Sequence, residues 1–246
     1  MLQNLSQYLT QTDTETRSEY TSASDVAEYR RALRERAMAD ASLRQAKAAM
    51  WGAKNPMPDL QSGETWALRP SAWSRAAVHR HLVGAASGTE IAPALTLYHD
   101  CPHSLLSLRQ DLTSPDAPAP FSLCLDVLQF EGSFLSLCFN LDPEEAKQLC
   151  MDDVIRVGLD AEMEAPLPLY ARLNLKQSPN ETQQLSQFGF GNTTSGRQIA
   201  AFDLAYAGLS DDPVEAAWID LIFEKPAMNA VRLHDMVVSR GKRASL

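Results

Sequence analysis

Leu169-Tyr170-Ala171-Arg172-Leu173-Asn174-Leu175-Lys176 is the stretch that decides the fold. Apolar and polar residues alternate through all eight positions, and a period of two belongs to a β-strand with one face in a core and the other outside. The leucines and Ala171 take the inner face. Tyr170, Arg172, Asn174 and Lys176 therefore line the outer one.

Working outward, the same period governs most of the chain after Ile91. It predicts strands over 94–100, 104–110, 121–130, 133–141, 154–164, 168–176, 198–207, 217–224 and 230–239. Turn chemistry separates them at Ser114-Pro115-Asp116, Glu131-Gly132, Pro166 and Pro168, Gly189–Gly196 and Asp211-Asp212-Pro213. Asp142-Pro143-Glu144-Glu145 starts a short helix ending near Cys150, with proline and acids suited to a first turn. A βαβ rhythm is absent. The expectation is a mainly β protein: an antiparallel jelly-roll β-sandwich of about nine strands, preceded by one long N-terminal α-helix.

That helix is expected over 25–52, where Ser24 or Asp25 can cap an Ala- and Arg-rich run that Gly52, Pro56 and Pro58 stop. Val26, Tyr29, Leu33, Ala37, Leu43 and Met50 form a thin stripe along it, suited to light packing on a domain or to self-association through residues 25–52. Residues 1–24 read as a disordered polar tail and 53–90 as a connector. Within the connector, Trp66 and Trp73 are expected to cap a core edge, and 71–83 is weakly helical. The sandwich domain spans 91–246.

The chain has 246 residues, 45% apolar, with 22 Lys and Arg against 31 Asp and Glu. Residues 25–54 carry a net +3, which leaves −12 for the rest of a chain at −9. A nucleic-acid partner is therefore excluded as an expectation, because counterion release needs a basic stripe. No run is long enough for a membrane helix, and the polar start lacks a signal-peptide pattern, so a cytoplasmic location is expected. Cys101, Cys124, Cys138 and Cys150 lack metal-type spacing and read as free, buried thiols.

Candidate site residues come from the outward rows. In the strand before the opening stretch, Arg156, Asp160, Glu162 and Glu164 point outward. A hairpin through Ala165-Pro166 would lay that row beside Tyr170, Arg172 and Asn174, making one mixed acidic, basic and aromatic surface. Trp218 and Asp220, opposite in phase to Ile219 and Leu221, extend it. Aromatic planes stack on sugar rings while Asn, Asp, Glu and Arg bond hydroxyls, so Tyr170, Arg172, Asn174, Asp160, Glu162 and Trp218 are the expected ligand-binding residues, for a glycan or a protein partner. The plain alternative is cross-strand charge pairing on a solvated sheet.

Asp160, Glu162 and Glu164 are the best enzyme signal. Carboxylates at this spacing make Glu162 and Glu164 weak acid/base candidates for glycosidic cleavage. His99-Asp100-Cys101-Pro102-His103 offers three ligand types but has no second cluster to complete a zinc site, so no metal is expected. Gly189–Gly196 lacks the Lys-Ser/Thr of a phosphate loop and reads as a mobile hairpin loop; no cofactor is expected. Asn180-Glu181-Thr182 and Asn192-Thr193-Thr194 matter as glycosylation sequons only in a secreted chain.

Three stretches together resemble an uncharacterised family of Rhodobacter-type alphaproteobacteria. They are Arg69-Pro70-Ser71-Ala72-Trp73; Tyr98-His99-Asp100-Cys101-Pro102 running on to Leu108-Arg109-Gln110; and Trp218 to Glu224 followed by Leu233 to Arg240. The resemblance brings no activity. The ending Val231 to Ser239 also resembles the last strand of galactose-binding-like and carbohydrate-binding jelly rolls. Together these point to a non-catalytic β-sandwich binding module, against a structural subunit of a phage-like or envelope-associated assembly, or a glycoside hydrolase.

Overall fold

The computed structural model describes residues 23–50, 58–190 and 193–243. Residues 1–22 of the expected tail, the helix stop at Gly52 and Pro56, and Asn192 lie outside them; Ala23 and Ser24, expected in the tail, are already helical, so Ser24 and Asp25 lie in the first turn rather than before it. Helix α1 spans Ala23–Met50, and the strands are β1 (Glu64–Leu68), β2 (His81–Val83), β3 (Thr89–Ala92), β4 (Leu95–His99), β5 (Leu105–Leu112), β6 (Phe121–Gln129), β7 (Leu135–Asn140), β8 (Asp153–Met163), β9 (Leu169–Gln177), β10 (Asn180–Gln187), β11 (Ser195–Asp203), β12 (Ala216–Phe223) and β13 (Asn229–Lys242). Two helical turns, α2 (Ser71–Ser74) and α3 (Pro143–Ala146), complete it. At α3 the Asp142 carboxylate accepts from the Glu144 amide at 2.9 Å, the N-cap that the proline and acids signalled.

Two antiparallel sheets face each other. One runs β11-β8-β13-β6-β5-β2, with β1 added on β13; the other runs β10-β9-β12-β7-β4-β3. Alternate Leu, Val, Ile and Phe side chains from both inner faces, such as Leu97, Leu125, Leu137, Val157, Leu173, Ile219 and Leu233, form one buried core. Each such side chain contributes about 1.5–3 kcal/mol when fully buried. The β-sandwich with one long N-terminal helix is as expected.

Several local expectations are corrected. The described residues hold thirteen strands, because the expected connector supplies β1, β2 and β3, and the polar run Asn180–Gln187 is the edge strand β10. Of the weakly helical segment only Ser71–Ser74 is helical. Trp73 is fully buried rather than capping an edge, and its indole N–H donates to the Leu233 carbonyl at 3.0 Å. Strand β10 ends at Gln187 on an edge of one sheet and β11 begins at Ser195 on an edge of the other, so the two are not the arms of the expected hairpin. Phe188 and Phe190, both buried, anchor the chain just past β10.

The most consequential correction concerns β8 and β9. They do not pair: β8 lies between β11 and β13 in the seven-stranded sheet, while β9 lies between β10 and β12 in the other. The link that carries Pro166 and Pro168 therefore runs from one sheet to the other. Asp160, Glu162 and Glu164 therefore occupy the opposite outer surface from Tyr170, Arg172 and Trp218.

Strand β13 carries a bulge between Leu233 and Asp235. The extra residue resets the phase, so Met236 and Val238 enter the core while Asp235 turns to the outer side. There Asp235, 1% exposed, accepts from Arg69 Nε and Nη2 at 2.7 and 3.2 Å. This ion pair and the Trp73 bond fasten the β1–α2 segment onto the last strand.

Helix α1 docks through its C-terminal half. Ala41, Arg44 and Ala48 are buried, and Arg44 donates to Gln110 Oε1 at 2.9 Å and to the Ala77 carbonyl. Gln110 also accepts from the Ala77 amide and donates to the Ala72 and Arg75 carbonyls, so one buried side chain joins α1, α2 and β5.

Candidate functional site

The outer face of the six-stranded sheet carries a groove of about 570 Å³, within the usual range for small-ligand sites. Its geometry follows from the register. Asn174, Trp218 and Asn140 stand side by side on β9, β12 and β7; the next row is Arg172, Asp220 and Cys138; the third is Tyr170, Ile222 and Ser136, continued by Tyr98 on β4. Trp218 and Tyr98 thus stand two rows apart, about 14 Å along the strands. Phe134 closes the end beside Tyr98.

The centre is polar. Arg172 Nε and Nη2 donate to Asp220 Oδ2 at 3.0 and 2.8 Å, and Asn174 Nδ2 donates to the same oxygen at 2.9 Å. Asp220 is 4% exposed and Asn174 fully covered, so Asn174 supports the pair from below rather than facing solvent as expected. Arg172 remains 39% exposed, which limits the pair to about 1 kcal/mol of stability or less. Its value lies in fixing the two charged groups.

Burial, with the neighbouring Asp220 charge, pushes the Cys138 thiol up to about 12, against the opposing pull of Arg172. The thiol is neutral and hydrogen-bonds Asp220. At the rim, the Tyr170 hydroxyl donates to Glu224 at 3.1 Å, which raises the phenol above its ordinary value and sets the ring's tilt.

The loop beside the groove is held by the His99-Asp100-Cys101 stretch. Asp100 accepts from the Ser133 amide and hydroxyl and from the Phe134 amide, while Cys101 Sγ accepts from the Glu131 amide. Gly132 has no alternative here, since a Cβ would collide with the Asp100 carboxylate and the Phe130 ring. His99 is buried, donates from Nε2 to the Ala85 carbonyl at 2.9 Å and meets Phe130 edge-on. These residues position Phe134.

On the opposite sheet, Glu162 and Glu164 border a smaller cavity of about 350 Å³ with Arg109, Arg232 and His234. Glu162 is exposed and lies 3.4 Å from His234 Nε2. Asp160 is half-buried in the same sheet, across from Arg197 and Asp235. Of the six expected ligand residues, the structure brings Tyr170, Arg172, Asn174 and Trp218 together and leaves Asp160 and Glu162 apart from them. It adds Tyr98, Phe134 and Asn140, which sequence reasoning missed. The signal for Tyr98 was the alternation of Leu95-Thr96-Leu97-Tyr98; on β7 it was hidden, because Ser136 and Cys138 are covered on the outer side as well. Cys150 is exposed, against expectation, while the other three cysteines are buried and all four are free.

The molecule is thus a β-sandwich with an aromatic and polar groove on one outer face. It belongs to a family of unknown function, DUF6478, whose model matches residues 2–246. No curated protein matches this sequence. Among solved structures it is similar to the CBM22-1 xylan-binding domain of Paenibacillus barcinonensis Xyn10C, at 10% identity and a TM-score of 0.39 over 64% of this chain and 91% of that one. A family 11 carbohydrate-binding module from Clostridium thermocellum, in complex with a β-1,3-1,4-mixed-linked tetrasaccharide, aligns at 8% identity and 0.37 over 65% and 94%. A cyclase from Fischerella sp. TAU aligns at 10% and 0.42 over 67% and 90%. At such identities nothing about a ligand passes from them to this chain.

Proposed function

We propose that this chain is a non-catalytic binding module that holds a glycan in the groove of the six-stranded sheet. The observation that carries the reading is the groove itself: Trp218 at one end, Tyr98 and Phe134 at the other, and a fixed guanidinium–carboxylate pair between them. Flat apolar surfaces take sugar ring faces, and fixed charged groups take hydroxyls. Asp220 is the one carboxylate among the groove's described lining residues, and Arg172 and Asn174 already hold it. Glycoside hydrolysis uses two facing carboxyl groups, and the Glu162 and Glu164 pair sits across the sandwich.

Affinity electrophoresis against soluble xylan, mixed-linkage glucan and galactomannan tests the reading. At least one polymer should retard the protein, and Trp218→Ala should weaken retention at least tenfold, about 1.4 kcal/mol. Retention by none, or retention untouched by the variant, would remove the proposal.

A second reading, a structural subunit of a larger assembly, is favoured by α1. The docked stripe Ala37, Ala41, Arg44 and Ala48 runs on toward the N-terminus as Leu33, Tyr29 and Val26, where Tyr29 is 65% exposed. A second copy of this helix would cover that face. Light scattering on the full chain and on Tyr29→Ser with Leu33→Ser decides it: a monomer in both cases ends this reading. Point substitutions are used rather than removal of the helix, because Arg44 and Gln45 bond the domain.

A further inference from the structure

We infer that the groove takes several consecutive units of one linear glycan chain lying lengthwise along β7 and β12, so that Trp218 and Tyr98 touch the same chain. This rests on the glycan reading above and adds the class of ligand: an extended oligosaccharide rather than a single sugar.

The lining residues set the axis. Strands β12 and β7 supply alternate residues from Trp218 to Ile222 and from Ser136 to Asn140, three on each strand, whereas β9 and β4 supply Arg172 and Tyr98 alone among the described residues. Three rows on two neighbouring strands make a trough that runs with the strands. It extends about 14 Å from the Trp218 row to the Tyr98 row.

Side-chain size makes β7 the floor. Ser136 and Cys138 are small and only 5% and 7% exposed, while Tyr98 is 41% exposed and Trp218 and Ile222 are half-buried. The register sets Ser136 between Ile222 on β12 and Tyr98 on β4, and Cys138 beside Asp220. Side chains stand roughly perpendicular to a sheet, so larger residues on the flanking strands wall in a line of small ones. At the middle row Arg172, Asp220 and Asn174 are bonded to one another, which stiffens the β12 side of the trough.

The aromatics stand at opposite ends and on opposite sides of this floor. Besides the distance along the strands, β12 and β4 lie two strands apart, about 10 Å. A single sugar ring stacked on either aromatic leaves the other bare. A chain of several rings reaches both, and its second contact is made within a complex that has already lost its translational freedom, so affinity climbs with length.

The test is a length series of xylo-, mixed-linkage gluco- and manno-oligosaccharides, from monosaccharide to hexasaccharide, titrated by calorimetry into wild type, Tyr98→Ala and Ser136→Leu. In the series that matches the retarding polymer, wild type should gain at least tenfold in affinity between the shortest member that binds and the hexasaccharide. Tyr98→Ala removes the far contact and Ser136→Leu fills the floor beside it, so each should cut the gain with length. A chain crossing the strands at the Trp218 row would ignore Ser136, two rows away. Affinity independent of length, or a full gain kept in either variant, would overturn the inference while leaving a glycan-binding groove intact. Absence of binding by every oligomer and polymer would instead overturn the glycan reading, and this inference with it. The length series is read on unaltered protein, so a misfolded variant cannot hide the answer.

Discussion

Replacing Arg69 with Met leaves the Asp235 carboxylate, 1% exposed, without the guanidinium that holds both its oxygens. Breaking one partner of a buried ion pair costs about 3–5 kcal/mol, because the remaining charge stays desolvated. Arg197 reduces this: its Nη1 lies 3.8 Å from Oδ2, but its side chain is 51% exposed, and such a pair returns about 1 kcal/mol at most. The expected loss is therefore about 2–4 kcal/mol, and at 2–4 °C per kcal/mol for a domain of this size the melting temperature should fall by roughly 4–16 °C. Urea unfolding followed by tryptophan fluorescence measures it, since Trp73 is buried and bonded to Leu233 beside the bulge. Arg69→Met with Asp235→Asn should recover part of the loss by removing the stranded charge. A loss under about 1 kcal/mol for the single variant would refute the claim that this pair fastens β1 and α2 to β13.

Gln110→Leu removes two acceptances and two donations inside a buried junction and should cost about 2–4 kcal/mol, with faster tryptic cleavage in α1; an unchanged digestion pattern would contradict its role in docking the helix. Native protein should titrate one thiol with a disulfide reagent, Cys150, and the other three only in denaturant; Cys138, pushed to about 12, should stay unreactive through mildly alkaline pH. The Ser133 and Ser178 hydroxyls hold Asp100 and Glu215 below the ordinary carboxylate range. Depressed folded-state values mean that their contribution is present above about pH 4 and lost as pH falls through them, so Ser133→Ala should be less stable than wild type at neutral pH and equal to it in strong acid. A constant difference at all pH values would refute that linkage.

How much of this was legible varies with what the sequence encodes locally. Alternation is local, so the strands from Leu95 onward and the outward placement of Tyr170, Arg172 and Trp218 could be read directly. Strand β10 could not, because Thr182, Gln184 and Ser186 give its inner side no apolar signal. Its Gln184 instead donates to the Asp203 carbonyl. Partner choice is non-local, and the short Pro-containing link after β8 looked like a hairpin although it changes sheets. The bulge at His234 broke strict alternation, so period-two counting would have turned Asp235 inward. The motif residues acquire their meaning only in space: Arg69 and Trp73 meet the last strand, Asp100 and Cys101 hold the loop of Phe134, Gln110 seats α1, and Trp218, Asp220 and Ile222 form the groove floor.

The most direct measurement is a backbone and indole amide shift map on the full chain titrated with whichever neutral oligosaccharide corresponds to the retarding polymer. Saturable changes should centre on the Trp218 indole and on Asn140, Arg172 and Tyr98, leaving Glu162, Arg232 and His234 unmoved. Changes gathered on the Glu162 side of the sandwich, or none at millimolar sugar, would contradict the assignment of the six-stranded sheet as the binding face.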